Sequence, residues 1–192
     1  VMGTHGRRAF GRWLLGSVTE HMLRKVPTPI ITVSHIETDE PTSSLSGGRI
    51  LYTTDLSTAS IAGIEFAYDL AKRFGAELFV LHVMLPLRWE YGSTFIPLDI
   101  SKNHDRLHAD LAKQLELAVP EAARSDPRVH WDAGEGLPHE VILDYAELKN
   151  ANLIVINLHG KSWIDRALLG STAERVVRGA HRPVLSLPVI GT

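Results

Sequence analysis

The chain contains no cysteine among its 192 residues, which excludes disulfides, thiolate catalysis and cysteine-ligated zinc. It also lacks a dominant charge: 20 Lys and Arg stand against 22 Asp and Glu, a formal net charge of −2. So even a balance gives no general electrostatic pull toward nucleic acid or an acidic membrane surface. No uninterrupted apolar run approaches the ~20 residues that a membrane span needs, and no signal-peptide pattern opens the chain. A soluble, cytoplasmic protein with neither nucleic-acid nor membrane partners is the expectation. No serine–histidine–acid set and no converging pair of carboxylates is visible, so no residue is assigned a catalytic role. Gly11-x4-Gly16-Ser17 has the outline of a P-loop, but the lysine before the serine is absent and it is not one.

What is present is a regular α/β alternation. Residues 49–53 read as a short strand ending at Thr54-Asp55, and Ser57 or Thr58 caps the helix that follows. In that helix Ile61, Ile64, Phe66, Ala67, Leu70 and Phe74 recur at helical spacing, and Gly75 ends it. Residues 77–84 (ELFVLHVM) form a buried strand, and residues 85–97 a long loop carrying Trp89, Tyr91 and Phe95. A second helix runs from Leu98 or Ser101 to Ala118, with Leu107, Leu111, Leu115 and Ala118 on one face. A third strand lies near residues 128–131, followed by a turn at Gly134-Glu135-Gly136. A third helix spans residues 137–149 with Pro138 in its first turn, and strands at 153–156 and 183–187 flank a fourth helix at 171–178. Apolar strands alternating with helices predict an open parallel sheet of five strands covered on both faces.

Within this pattern, residues 154–178 stand out. An apolar, β-branched run breaks into a polar loop at 157–160 and restarts as a helix at Gly170-Ser171, with Ser171 and Glu174 spaced as a capping box. A strand, a glycine-punctuated loop and a helix start make a ready anion site, because the first amides of a helix have no intrahelical partner. The same pattern occurs a second time. At a shift of 154 positions, the distance from Gly16 to Gly170, His5-Gly6 falls on His159-Gly160 and Arg12 on Arg166. Gly16-Ser17 then falls on Gly170-Ser171, Glu20 on Glu174, Arg24 on Arg178 and Pro29 on Pro183. A repeat of domain-sized period predicts tandem copies of one domain. Residues 1–36 are then the C-terminal remnant of a first copy, 37–48 a Ser/Thr/Pro/Gly-rich linker, and 49–192 a complete domain.

In open α/β sheets, ligands sit beyond the carboxyl ends of the strands where the strand order reverses. Three segments converge there if the first and fourth strands flank that point: Thr53-Thr54-Asp55, His82-Val83 and the loop 157–171. Other candidates are weaker. His104 and His108 lie four apart on a helix, where a solvated polar face is favoured over a metal pair. His82 reads as a satisfied core histidine. His5 and His159 read as loop-stabilising, and Arg7, Arg8, Arg12, Lys161 and Arg166 either neutralise phosphate or are surface charges.

At these residues the chain resembles the universal stress proteins, in their nucleotide-binding branch. The family motif is Gly-x2-Gly-x9-Gly-[Ser/Thr] between the fourth strand and fourth helix, with an Asp after the first strand. Gly3, Gly6, Gly16 and Ser17 fit it in full; Gly160, Gly170, Ser171 and Asp55 fit it in the second copy, where Asn157 replaces the first glycine. The resemblance implies an adenine-nucleotide alpha-hydrolase-like sheet with strand order 3-2-1-4-5. It implies ATP, alone or with Mg2+, as ligand and a regulatory stress-response role with at most slow hydrolysis. Thr53, Thr54 and Asp55 would line base and ribose, Val83 the adenine, and Ile156 and Asn157 the ribose. Gly160, Gly170, Ser171 and Thr172 would hold phosphates. Glycine at the Asn157 position would admit φ > 0 and a close backbone approach, whereas an Asn side chain can crowd the ribose or hydrogen-bond to it. The resemblance further implies that Ile30–Val33 pairs antiparallel with Val184–Leu187, a pseudo-dimer within one chain, and that the protein self-associates. The alternative is a stress protein that binds no nucleotide and acts through protein contacts.

Overall fold

Each strand of this chain is a short apolar run bounded by glycine, proline or polar residues, and the fold stacks these runs into one sheet. The structure, a computed structural model, describes residues 1–3, 16–34, 44–86, 98–158 and 170–188, with the backbone alone over 98–105. The first unit comprises β1 (Met2–Gly3), α1 (Ser17–Lys25) and β2 (Ile30–Val33). Then come β3 (Arg49–Thr54), α2 (Thr58–Phe74), β4 (Glu77–Met84), α3 (Leu98–Ala118) and the single-turn α4 (Glu121–Arg124). The chain closes with β5 (Val129–Glu135), α5 (Pro138–Leu148), β6 (Leu153–Asn157), α6 (Ser171–Gly179) and β7 (Val184–Leu187).

The sheet has seven strands in the order β1-β2-β7-β6-β3-β4-β5. Its β3–β7 part has the order 3-2-1-4-5 that the resemblance implies, all parallel. The expectation of five strands is corrected to seven, because β2 adds antiparallel to β7 and β1 adds parallel to β2. The β2–β7 ladder pairs Ile30 with Ser186, Ile31 with Leu185 and Thr32 with Val184. At a shift of 154, these pairs exchange into one another about the Ile31–Leu185 pair, the signature of a local two-fold axis. The parallel registers agree as well: Met2 opposite Thr32 and Gly3 opposite Val33 match Ile156 opposite Ser186 and Asn157 opposite Leu187.

Strand pleating divides the core in two. Ile50, Tyr52, Leu78, Val80, Leu153 and Val155 pack under α2 and α3 on one face. Leu51, Leu81, Ile154 and Ile156 pack under α5 and α6 on the other, where Leu23 of α1 joins them. Burying each such side chain contributes about 1.5–3 kcal/mol.

Several local expectations change. Of Ser57 and Thr58, Ser57 is the N-cap of α2, its hydroxyl accepting from the Ser60 amide at 3.3 Å. Gly75 closes that helix at φ 60°. The capping box at Ser171 does not form: Gly170 is the N-cap, Ser171 is already helical, and Glu174 pairs with Arg178 at 2.5 Å. A charged partner one turn along the helix outcompetes reaching back to the cap. The turn at Gly134-Glu135-Gly136 begins later than its composition implies, since β5 runs through Glu135. Gly134 serves packing there, as a Cβ would lie 2.9 Å from Val141 of α5, and Gly136 at φ 148° makes the turn. On α3, Leu115 is buried but Leu107 is 39% exposed. His108 turns toward β5 instead and is hydrogen-bonded to Glu135 at 3.0 Å; the side chain of His104 lies outside the described residues.

Candidate functional site

β3 and β6 are neighbours, but β3 leads through α2 to β4 on one side and β6 through α6 to β7 on the other. Their carboxyl ends are therefore a point where the strand order reverses, and the chains leaving them part to opposite faces. A cleft of about 340 Å³ opens there. Thr53, Thr54, Asp55, Val83, Ile156, Asn157, Gly170, Ser171 and Thr172 all line it. Of the residues expected at one site, Gly160 lies outside the described residues, as does Gly6 of the first motif. The same holds for His5, His159, Lys161, Arg166, the arginines at 7, 8 and 12, and the aromatics at 89, 91 and 95. Gly3 ends β1 and Gly16-Ser17 opens α1, away from this cleft.

Sequence reasoning missed Ser60, Leu81, Pro138, Ile142, Leu158 and Ala173, which complete the lining. Most are aliphatic residues whose alternation announces a core, and nothing in a linear pattern separates a core position from a cleft wall. Ser60 is different. Its hydroxyl donates to Asp55 Oδ1 at 2.6 Å, and the Ser57 amide donates to the same oxygen at 3.0 Å. The Leu56 amide donates to Thr54 Oγ1, which lies 2.9 Å from Ser60 Oγ. Since a carboxylate oxygen accepts only, the Ser60 proton goes to Asp55 and the Thr54 proton to Ser60. These donors run in one direction and end on Asp55, and Leu56 takes φ 60° to let the turn close.

The opposite wall is the start of α6. Its first intrahelical bond is Glu174 N–H to the Gly170 carbonyl at 2.9 Å, so the helix itself leaves the amides of Ser171, Thr172 and Ala173 for other acceptors. The Gly170 amide reaches back to the Leu158 carbonyl at 2.8 Å, which joins the two ends of the 158–170 connection.

Asn157 lines the cleft and also reaches the other face of the sheet. It shares the strand parity of Leu153 and Val155, so its side chain points to the α2 face, where Oδ1 lies 3.2 Å from the Tyr52 hydroxyl. The only non-glycine residues with positive φ among those described are Leu56 and Asn150, so position 157 makes no demand for glycine. Tyr52 is fully buried, and its hydroxyl donates to the Ser60 carbonyl at 2.5 Å. Burial, with the Asp55 charge adding to it, pushes the Tyr52 pKa well above the usual phenol value. His82 is buried, and its Nδ1 donates to the Thr54 carbonyl at 2.8 Å, a satisfied core histidine. Among the described residues, no cluster of His, Asp or Glu is arranged to hold a metal ion.

The profile of the universal stress protein family matches the chain at residues 1–34 and 48–188. A universal stress protein of Methanocaldococcus jannaschii is 32% identical over 141 residues, covering 71% of this chain and 79% of that one. One from Mycolicibacterium smegmatis is 30% identical over 187 residues, covering 96% of this chain and 60% of that protein. Among solved structures, a functionally unknown protein of Pseudomonas aeruginosa shares the fold with a TM-score of 0.70 at 21% identity, covering 98% of this chain and 62% of its own. The chain thus spans about 60% of the length of relatives that match nearly all of it. With the family profile matched over most of its length, the chain belongs to the universal stress protein family.

Proposed function

We propose that this universal stress protein is a cytoplasmic regulatory protein that binds ATP in the cleft between β3, β6, α5 and α6. The observation that carries the reading is the convergence of Thr53, Thr54, Asp55, Val83, Ile156, Asn157, Gly170, Ser171 and Thr172 on that one cleft. Its volume of about 340 Å³ sits at the small end of ligand pockets, which run from ~300 to ~1,000 Å³. Leu81, Val83, Ile142 and Ile156 suit the faces of a purine. Asp55, an acceptor held by Ser57 and Ser60, suits a ribose hydroxyl. The amides at the start of α6 suit phosphate oxygens; Gly160, expected to join them, lies outside the described residues. Mg2+, where it takes part, would enter with the phosphates. No general base is assigned, so hydrolysis is slow at most.

The reading has a domain side. Residues 1–36 are the last strand–helix–strand of a first copy, 37–48 a linker, and 49–192 the copy that binds nucleotide. The shared register at a shift of 154 and the break in the family match between residues 34 and 48 support it. The β2–β7 ladder then stands for the contact between two domains, here met within one chain. Val1, Val18 and Val33 of the first unit are 91%, 67% and 37% exposed, so association between chains is expected too. Sedimentation that shows only monomer would contradict that part.

Calorimetric titration of magnesium-ATP tests the ligand. Saturable binding at or below millimolar concentration, lost in Asp55→Ala, is expected. No saturable binding at millimolar ligand would overturn the reading and favour a role through protein contacts alone.

A further inference from the structure

Behind the cleft, on the α2 face of the sheet, the buried Tyr52, Ser60 and Gly63 meet the half-buried Asn157 in contacts to which the ligand reading gives no role. The Tyr52 hydroxyl has one proton and faces two oxygens, the Ser60 carbonyl at 2.5 Å and Asn157 Oδ1 at 3.2 Å. A carbonyl only accepts, so the proton belongs to the shorter contact with Ser60. The Asn157 contact is then satisfied by turning the amide so that its NH2 donates to the phenolic oxygen, an exchange of two atoms of nearly equal shape. Gly63 makes room for both partners: a Cβ there would lie 2.1 Å from the Tyr52 hydroxyl and 3.1 Å from Asn157 Oδ1. The residues are fitted to one another. An asparagine merely tolerated in place of glycine would not need an acceptor on the neighbouring strand and a cleared helix above it.

The group also connects the two walls of the cleft. Ser60 receives Tyr52 through its carbonyl and holds Asp55 through its hydroxyl. Asn157 ends β6, and the next residue, Leu158, is fastened to both Leu187 and Gly170 by backbone bonds of 3.0 and 2.8 Å. From these contacts we infer that Asn157 is a positioning residue. Through Tyr52 and Ser60, it clamps the β6–α6 wall to the Asp55 wall and sets the spacing a ligand must bridge. This rests on the nucleotide reading of the cleft. It follows that replacing Asn157 by the family glycine weakens binding.

The test compares the wild-type chain with Asn157→Gly, Tyr52→Phe and the double variant, using magnesium-ATP and adenosine as probes. Each single change should raise the ATP dissociation constant about tenfold, and the double change no further, since both break one contact. Adenosine, which lacks the phosphates that would reach the start of α6, should change less than about twofold, whereas general loss of structure would weaken both ligands alike. ATP binding in Asn157→Gly equal to or tighter than wild type would overturn the clamp, as would multiplicative effects in the double variant. Should the wild-type chain bind no ATP, the nucleotide reading fails on its own. Amide exchange then decides the clamp: faster exchange at Leu158 in both single variants supports it, and unchanged exchange refutes it.

Discussion

The unit β1–α1–β2 and its counterpart β6–α6–β7 are built on one plan and differ in a few side chains. Both helices start from a glycine N-cap at nearly the same angles, φ −58° with ψ 136° at Gly16 and φ −58° with ψ 134° at Gly170. Both carry a Glu–Arg pair one turn apart, Glu20–Arg24 at 2.7 Å and Glu174–Arg178 at 2.5 Å. In the first unit the strand ends in Gly3, and the buried Thr19 donates its hydroxyl to the Gly3 carbonyl at 2.9 Å. In the second the strand ends in Asn157, and Ala173, at the position of Thr19, leaves its space to the cleft. The first unit has the unbroken glycine motif but none of the walls that β3, β4 and α5 give the second. The walls come from strands that are distant in the chain.

The largest expected effect tests whether the first unit is part of one cooperative fold. Leu23 and Val177 occupy equivalent, fully buried positions. Leu23→Ala should cost about 2–5 kcal/mol in urea unfolding, and Val177→Ala somewhat less because fewer buried atoms are removed. An unchanged midpoint in Leu23→Ala would show that β1–α1–β2 is not folded with the rest. A reciprocal swap comes next. Ala173→Thr should weaken ATP binding about tenfold, as its hydroxyl fills cleft space and takes the Asn157 carbonyl the way Thr19 takes Gly3. Thr19→Ala should leave ATP binding unchanged and lower stability by about 1 kcal/mol for the lost hydrogen bond. If both changes affect ATP equally, the two units do not differ as argued. The smallest effect is the Glu–Arg pairs. Double-mutant cycles at 20/24 and 174/178 should each give about 0.3–0.5 kcal/mol, and equal values would show that the shared geometry carries shared energetics.

The order of elements was legible because glycine and proline punctuate it: Gly75 closes α2, Pro138 opens α5, and the apolar runs between them are strands. The convergence of Asp55, Val83 and Ser171 was legible through the parallel alternation and the motif together. Other features depend on three-dimensional neighbours. Composition read Gly134 as a turn, whereas it serves the close approach of Val141. Ser171 looked like a cap, but Gly170 takes that place while Glu174 prefers Arg178. Ile142 and Ala173 line the cleft because α5 and α6 cross it, which no local pattern states. The sequence left Asn157 to crowd the ribose or hydrogen-bond to it; its contact with Tyr52 on the far face depends on strand parity.

The central proposal is that this chain binds one nucleotide, in the cleft beside the second unit. Calorimetric titration of magnesium-ATP into the whole chain measures that directly through its stoichiometry. The account expects one saturable site per chain, lost in Asp55→Ala and kept in Ser17→Ala. Two sites per chain, or none at millimolar nucleotide, would contradict it.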